Sequence, residues 1–131
     1  MEVQTSKGFR ITILVYSIYS AIYGLLHVVS PELMGAKDPA IERVLGAAVV
    51  AFALGAGLAY VERSWDRVKI AVLVQVAWMI FYTVTMIWGI LVGGIAADAW
   101  PPAIIGATFA VLLAFLYIRE ERIKREESPA T

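Results

Sequence analysis

Residues 11–31, 44–61, 70–97 and 99–118 contain no Asp, Glu, Lys or Arg, which leaves uncharged runs of 21, 18, 28 and 20 residues in a chain of 131. About 20 apolar residues, at about 1.5 Å of rise each, cross the hydrocarbon core of a bilayer as a helix. A charge at the centre of such a helix costs about 2.5–3.5 kcal/mol on insertion. The pattern therefore predicts an all-α chain, an integral membrane four-helix bundle with an arrangement as two tandem helical hairpins open to it. Residues 1–131 are expected to form a single four-span transmembrane domain. The soluble alternative asks a domain of this size to hide four helices that are apolar all round, and a small domain lacks the interior for that.

Composition agrees. Hydrophobic residues make up 60% of the chain and charged ones 17%, against about 25% charged in a soluble domain. The formal net charge is 0, so no basic field is present to attract nucleic acid. There is no cysteine, which removes disulfides, thiolate metal sites and Cys nucleophiles together. Lys7 and Arg10 before an apolar run resemble the start of a signal peptide. The run from Ile11 to Ser30 exceeds the usual 7–15 or so apolar residues, however, and no A-x-A cleavage pattern follows, so the segment is expected to be a retained span.

Local signals place spans at about 9–29, 42–62, 66–93 and 101–119. Ser30-Pro31-Glu32 stops the first and leaves room for a short turn through Met34 that Gly35 ends. Asp38-Pro39 reads as N-cap and first residue of the second helix, and Ser64 as N-cap of the third, with Asp66 in its positive first turn. Gly93-Gly94 is expected to end the third helix, and Trp100-Pro101-Pro102 to open the fourth at an interface that suits indole. Tyr60 and Tyr117 fall at the inner ends of spans 2 and 4, as an aromatic belt predicts. Nine of the eleven Lys and Arg residues flank one side of this layout, and only Lys37 and Arg43 flank the other. That bias predicts a multi-pass protein with both termini in the cytoplasm.

The two halves share short matches. Ile22-Tyr23-Gly24-Leu25-Leu26 aligns with Ile87-Trp88-Gly89-Ile90-Leu91, with Ser20 and Thr85 in register. Val44-Leu45-Gly46-Ala47 aligns with Ile104-Ile105-Gly106-Ala107. An internal duplication of a two-span hairpin is one reading, and chance likeness between apolar segments is the other.

Small residues recur every four positions in span 2 (Ala47, Ala51, Gly55, Ala59) and in span 4 (Gly106, Ala110, Ala114). Such ladders let helix backbones approach where the hydrophobic effect gives no drive. They predict helix packing, either within the chain or between two copies. Span 1 carries Tyr16, Tyr19, Ser20, Tyr23 and His27 within an arc of about 100°. Span 3 carries Gln75, Trp78, Tyr82 and Thr85 on one stripe. Hydroxyls and amides in hydrocarbon need partners. Two readings stay open: an interhelical hydrogen-bond network, or an elongated aromatic pocket with polar handles for a flat apolar ligand such as a quinone, a lipid tail or a hydrophobic drug. A single histidine without nearby Cys makes a poor zinc site, so no metal site is expected, and His27 serves as a hydrogen-bonding group at the outer end of span 1. Glu32, Asp38, Glu42 and Arg43 form a rim there, with Glu32 a possible partner for Arg43, and Asp98 stands alone before span 4. The tail after Ile118 continues the last helix into water. It is expected to hold the i,i+4 pairs Glu120–Lys124 and Glu121–Arg125, to fray before Ser128-Pro129, and to serve as a topology anchor.

A Tyr23-Gly24-Leu25-Leu26 stretch in the first helix, the segment Pro31-Glu32-Leu33-Met34-Gly35 and a Gly/Ala-rich second helix together resemble the DoxX-like small membrane proteins. The likeness covers most of the chain. It implies a four-span fold and, because some members accompany quinone-dependent oxidation as accessory subunits, a quinone or accessory role; it assigns no catalytic residue. No Ser/His/Asp set, HExxH, phosphate loop or intramembrane carboxylate pair is found, so no catalytic constellation is expected and no cofactor is assigned. The leading expectation is a protein that binds a hydrophobic ligand or lipid, or an accessory membrane subunit. The alternatives are a small multidrug-type transporter, against which stands the missing acidic residue in span 1, and a quinone-linked redox subunit. Expected partners are the bilayer and a second copy or larger membrane complex.

Overall fold

The computed structural model describes residues 4–34, 38–95 and 99–127, with only the backbone at Glu127. The expectations placed on Gly35, Lys37, Asp98 and Ser128-Pro129 lie outside the described residues. The chain is all-α. Its described helices are α1 (Lys7–Val29), α2 (Pro39–Val61), α3 (Trp65–Leu91) and α4 (Trp100–Glu127), with one 3₁₀ turn at Pro31–Met34. α1 packs on α2 and α3 on α4, giving two tandem hairpins. One unit is residues 7–63. The other is the second hairpin from residue 64 onward, together with residues 4–6 of the N-terminal segment.

The helix ends follow their local chemistry. Asp38 caps α2 by accepting from Ala40 N at 3.0 Å and Ile41 N at 3.3 Å, with Pro39 inside the first turn. Ser64 is the N-cap residue of α3 by position but makes no capping bond with its side chain. α3 ends at Leu91, and two residues on the chain turns at Gly93, whose φ of +74° favours glycine. The amides of Gly94 and Ile95 then close onto the carbonyl of Gly89 at 2.9 and 3.0 Å.

Each of the four helices is long and apolar enough to span a bilayer, yet only 28% of its most apolar 18-residue window is buried. Leu58 and Phe81 are each 72% exposed. Helices apolar on every side and covered on less than a third of their surface belong in hydrocarbon. The protein is therefore a small multi-pass membrane protein.

In the first hairpin α1 buries Phe9, Ile13, Tyr16, Ser20, Gly24 and His27. Steps of three and four residues are the seam of a left-handed helix pair. α2 answers with small residues, burying Gly46, Val49, Ala53, Ala56 and Ala59. The hydroxyl of Ser17 donates across the seam to the carbonyl of Ala53 at 2.8 Å. Of the four-spaced ladder on α2, Ala59 lies on this seam, Gly55 is half-buried, and Ala47 and Ala51 are exposed. A strict four-residue step drifts about 40° per rung on a 3.6-residue helix, so one ladder cannot stay on one face over its length.

The second hairpin buries Trp65, Val68, Val72, Gln75, Val76 and Met79 of α3 against Ala103, Gly106, Ala110, Leu113 and Leu116 of α4. Ala114 is half-buried. Residues that align between the halves do different work. A Cβ on Gly24 would meet the Gly46 carbonyl oxygen at 2.8 Å, backbone against backbone, whereas one on Gly106 would meet the Tyr82 ring at 2.9 Å and one on Gly89 the Ile95 side chain. Ser20 is buried and its counterpart Thr85 is exposed.

Candidate functional site

The site grows out of the contact between Gly24 and Gly46. With no Cβ on either, the two backbones touch. Three residues further along α1 is His27, and four residues back along antiparallel α2 is Glu42. Both steps are one helical turn in the same direction in space, so the two side chains arrive at one level on facing sides. His27 Nε2 lies 3.5 Å from Glu42 Oε2, and His27 is 5% exposed. The same tight register seats His27 directly over Gly46, whose missing Cβ would stand 2.7 Å from the His27 Cβ.

Ring nitrogen Nδ1 is 2.9 Å from the carbonyl oxygen of Tyr23. A carbonyl only accepts, so Nδ1 carries a hydrogen and donates it. The neutral ring then turns a bare lone pair at Nε2 toward a carboxylate. The pair thus offers hydrogen-bonding atoms to an incoming polar group.

Two aromatic rings lead to it. Tyr19 and Tyr23 stack with centroids 5.9 Å apart and planes 12° apart, and Tyr23 leans on His27 at 4.4 Å. Tyr19 and Tyr23 are half-buried, so the ladder keeps an accessible edge. Tyr16 lies deeper, buried, in a side-chain hydrogen bond with Ser20. On the first turns of α2, Ala40, Ile41, Val44, Leu45 and Ala48 line a shallow apolar groove of about 470 Å³.

The sequence candidates divide between the units. Tyr16, Tyr19, Tyr23 and His27 belong to the first hairpin and Gln75, Trp78, Tyr82 and Thr85 to the second. Gln75 is buried in its own hairpin, Tyr82 lies against Gly106, Trp78 is half-buried and Thr85 is exposed. Glu42 and Ser17 were not among the candidates. Glu42 has a sequence signal in hindsight: it precedes Gly46 by one turn, as His27 follows Gly24. Arg43 is exposed, and among the described residues it is Glu42 of the outer rim that stands beside His27.

A second polar cluster closes the far end of the second hairpin. The carboxylate of Glu120, 1% exposed, accepts from Ser6 N at 3.0 Å and from the Ser6 hydroxyl. Gln4 bridges to Ser64 in antiparallel fashion. Trp65, fully buried, donates from Nε1 to Glu121 at 2.9 Å and leans on Tyr117 at 5.3 Å. Asp66 receives both Lys69 and Lys124. The expected local pairs Glu120–Lys124 and Glu121–Arg125 are replaced by these longer-range ones, because the α3–α4 seam continues past the apolar span and turns one side of the tail inward. In the first hairpin, Tyr60 carries the Arg10 guanidinium 5.0 Å above its ring, a cation–π contact.

Among the described residues, no three His, Asp or Glu side chains gather as metal ligands. No family model, curated protein or solved structure matches the chain.

Proposed function

We propose that this membrane protein has no catalytic machinery of its own and binds an apolar small molecule or lipid along the Tyr19–Tyr23–His27 face of α1. The supporting observation is the continuous ladder of three rings that ends at the His27–Glu42 pair. Flat rings favour a flat apolar body, and the pair supplies a hydrogen-bond partner for one polar head. The groove on α2 gives room for a hydrocarbon tail. A quinone has this shape and chemistry, and the resemblance to DoxX-like proteins makes it the first compound to try. Calorimetric titration of the detergent-purified protein with a short-chain benzoquinone should give saturable binding. Tyr23→Ala should weaken it by about tenfold, the loss of one ring contact and its area. Glu42→Gln should weaken it if the head group binds at the pair. Equal affinity in wild type and both variants would end this reading.

A second reading, association with another copy or an accessory role in a larger complex, is favoured by the exposed Ala47 and Ala51 on α2. The nine-to-two split of basic residues supports a cytoplasmic position for both termini. The absence of cysteine makes one set of single-cysteine variants test both points. Ala51→Cys should form disulfide-linked dimers in membranes while Ile18→Cys, on the exposed side of α1, should not. Ser128→Cys should react with an impermeant maleimide only after the cells are opened; labelling of intact cells would invert the topology.

A further inference from the structure

The end of α4 reads as mixed charge in sequence, but the fold sorts the signs by side. Asp66, Glu120 and Glu121 are all engaged within the second hairpin, by Lys69 and Lys124, by Ser6 and by Trp65. Arg119, Arg122 and Arg125 are exposed, and none of them pairs with a described residue. At about 100° per residue they continue the stripe formed by Val111, Phe115 and Ile118. Those three are 69%, 61% and 53% exposed. Glu126 is the one acid with a described side chain on that side of α4.

We propose that Arg119 and Arg122, with Arg125 beside them, hold the phosphate of an anionic phospholipid whose acyl chains lie along Val111, Phe115 and Ile118. An apolar stripe that runs without a break into guanidinium groups matches a lipid from tail to head. Ile118 closes the uncharged run and Arg119 follows it, so the charges fall at headgroup depth, and the long side chains reach further still. Guanidinium grips phosphate oxygens in pairs and is easily stripped of water. A free phosphate would satisfy the arginines and leave the apolar stripe unused, which is why the occupant is a lipid.

Native mass spectrometry of the whole protein, titrated with phosphatidylglycerol or phosphatidylcholine, tests this. Phosphatidylglycerol should bind at least tenfold more tightly. The double variant R119Q/R122Q should lose about 25-fold for phosphatidylglycerol, about fivefold per arginine. Arg43→Gln removes one positive charge from α2 of the first hairpin and should change binding less than twofold. Glu126→Gln should strengthen binding severalfold, a gain that misfolding cannot imitate. Equal binding of the two lipids, an equal loss in Arg43→Gln, or displacement of phosphatidylglycerol by millimolar inorganic phosphate would each overturn the proposal, the last by showing a free-anion site.

Discussion

Gly46→Ala destabilises the protein in detergent by about 2 kcal/mol. The added methyl would stand 2.6 Å from the Gly24 carbonyl oxygen, 2.7 Å from the His27 Cβ and 2.9 Å from the Val28 amide nitrogen. Two of these obstacles are backbone and the third is rooted in it, so none can swing aside and the helices must part. Overpacking costs about 1–3 kcal/mol, and this site belongs at the upper end. Alanine's better helix propensity returns about 1 kcal/mol at most. Gly106→Ala is the matched control. Its methyl meets the Tyr82 ring at 2.9 Å and the Thr83 hydroxyl at 3.1 Å, both of which can rotate, so the cost should stay below about 1 kcal/mol. Thermal unfolding of both variants in one detergent decides the matter. A Gly46→Ala protein as stable as wild type would mean that the crossing is looser than described. The same variant should also part His27 from Glu42, since His27 sits on the crossing.

Glu120→Leu frees residues 4–6 from the second hairpin. The lost bonds, from the Ser6 amide and hydroxyl, are made to a charged acceptor that is 1% exposed. Hydrogen bonds to charged groups contribute about 1.5–3 kcal/mol each, and leucine replaces neither. Amide exchange at Ser6 should therefore speed up by at least about 10-fold to 150-fold, which is the range for one of the two bonds converted at about 1.4 kcal/mol per factor of ten. Glu120→Gln should fall between, because one amide oxygen still accepts while the NH₂ group faces a donor. Unchanged exchange at Ser6 in the leucine variant would show that something other than Glu120 holds the segment.

The helices themselves were legible because charge is expensive in hydrocarbon and capping is local. The span expected at 9–29 is α1 at Lys7–Val29, and Asp38-Pro39 starts α2 as its chemistry requires. Gly93 closes α3 because a positive φ can be read from a Gly-Gly pair after an apolar run. α4 runs as one helix from the span into the charged tail, as expected. The pairings were not legible. His27 with Glu42, Trp65 with Glu121 and Asp66 with Lys124 depend on the register of one helix against another, and one turn of slip would exchange every partner; Ser6 with Glu120 depends on where the segment before α1 lies. Register is fixed by shape, chiefly the Gly24–Gly46 contact, and a four-residue ladder of small side chains does not disclose which rung meets which. The aromatic stripes on spans 1 and 3 were visible as stripes. The tandem-hairpin arrangement left open by the sequence puts them in different hairpins; what each stripe packs against was not legible, because periodicity on one helix carries no information about its neighbour.

The bond from Ser6 to Glu120 spans 114 residues of chain. A ribosome must translate every residue from Ser6 to Glu120 before that carboxylate exists. Until then Ser6 waits unfastened while α1, α2 and α3 enter the bilayer. The clasp closes only after α4 has passed its last apolar turn, so a fastened Ser6 reports that the second hairpin is in place, and a chain cut short before Glu120 leaves this segment loose.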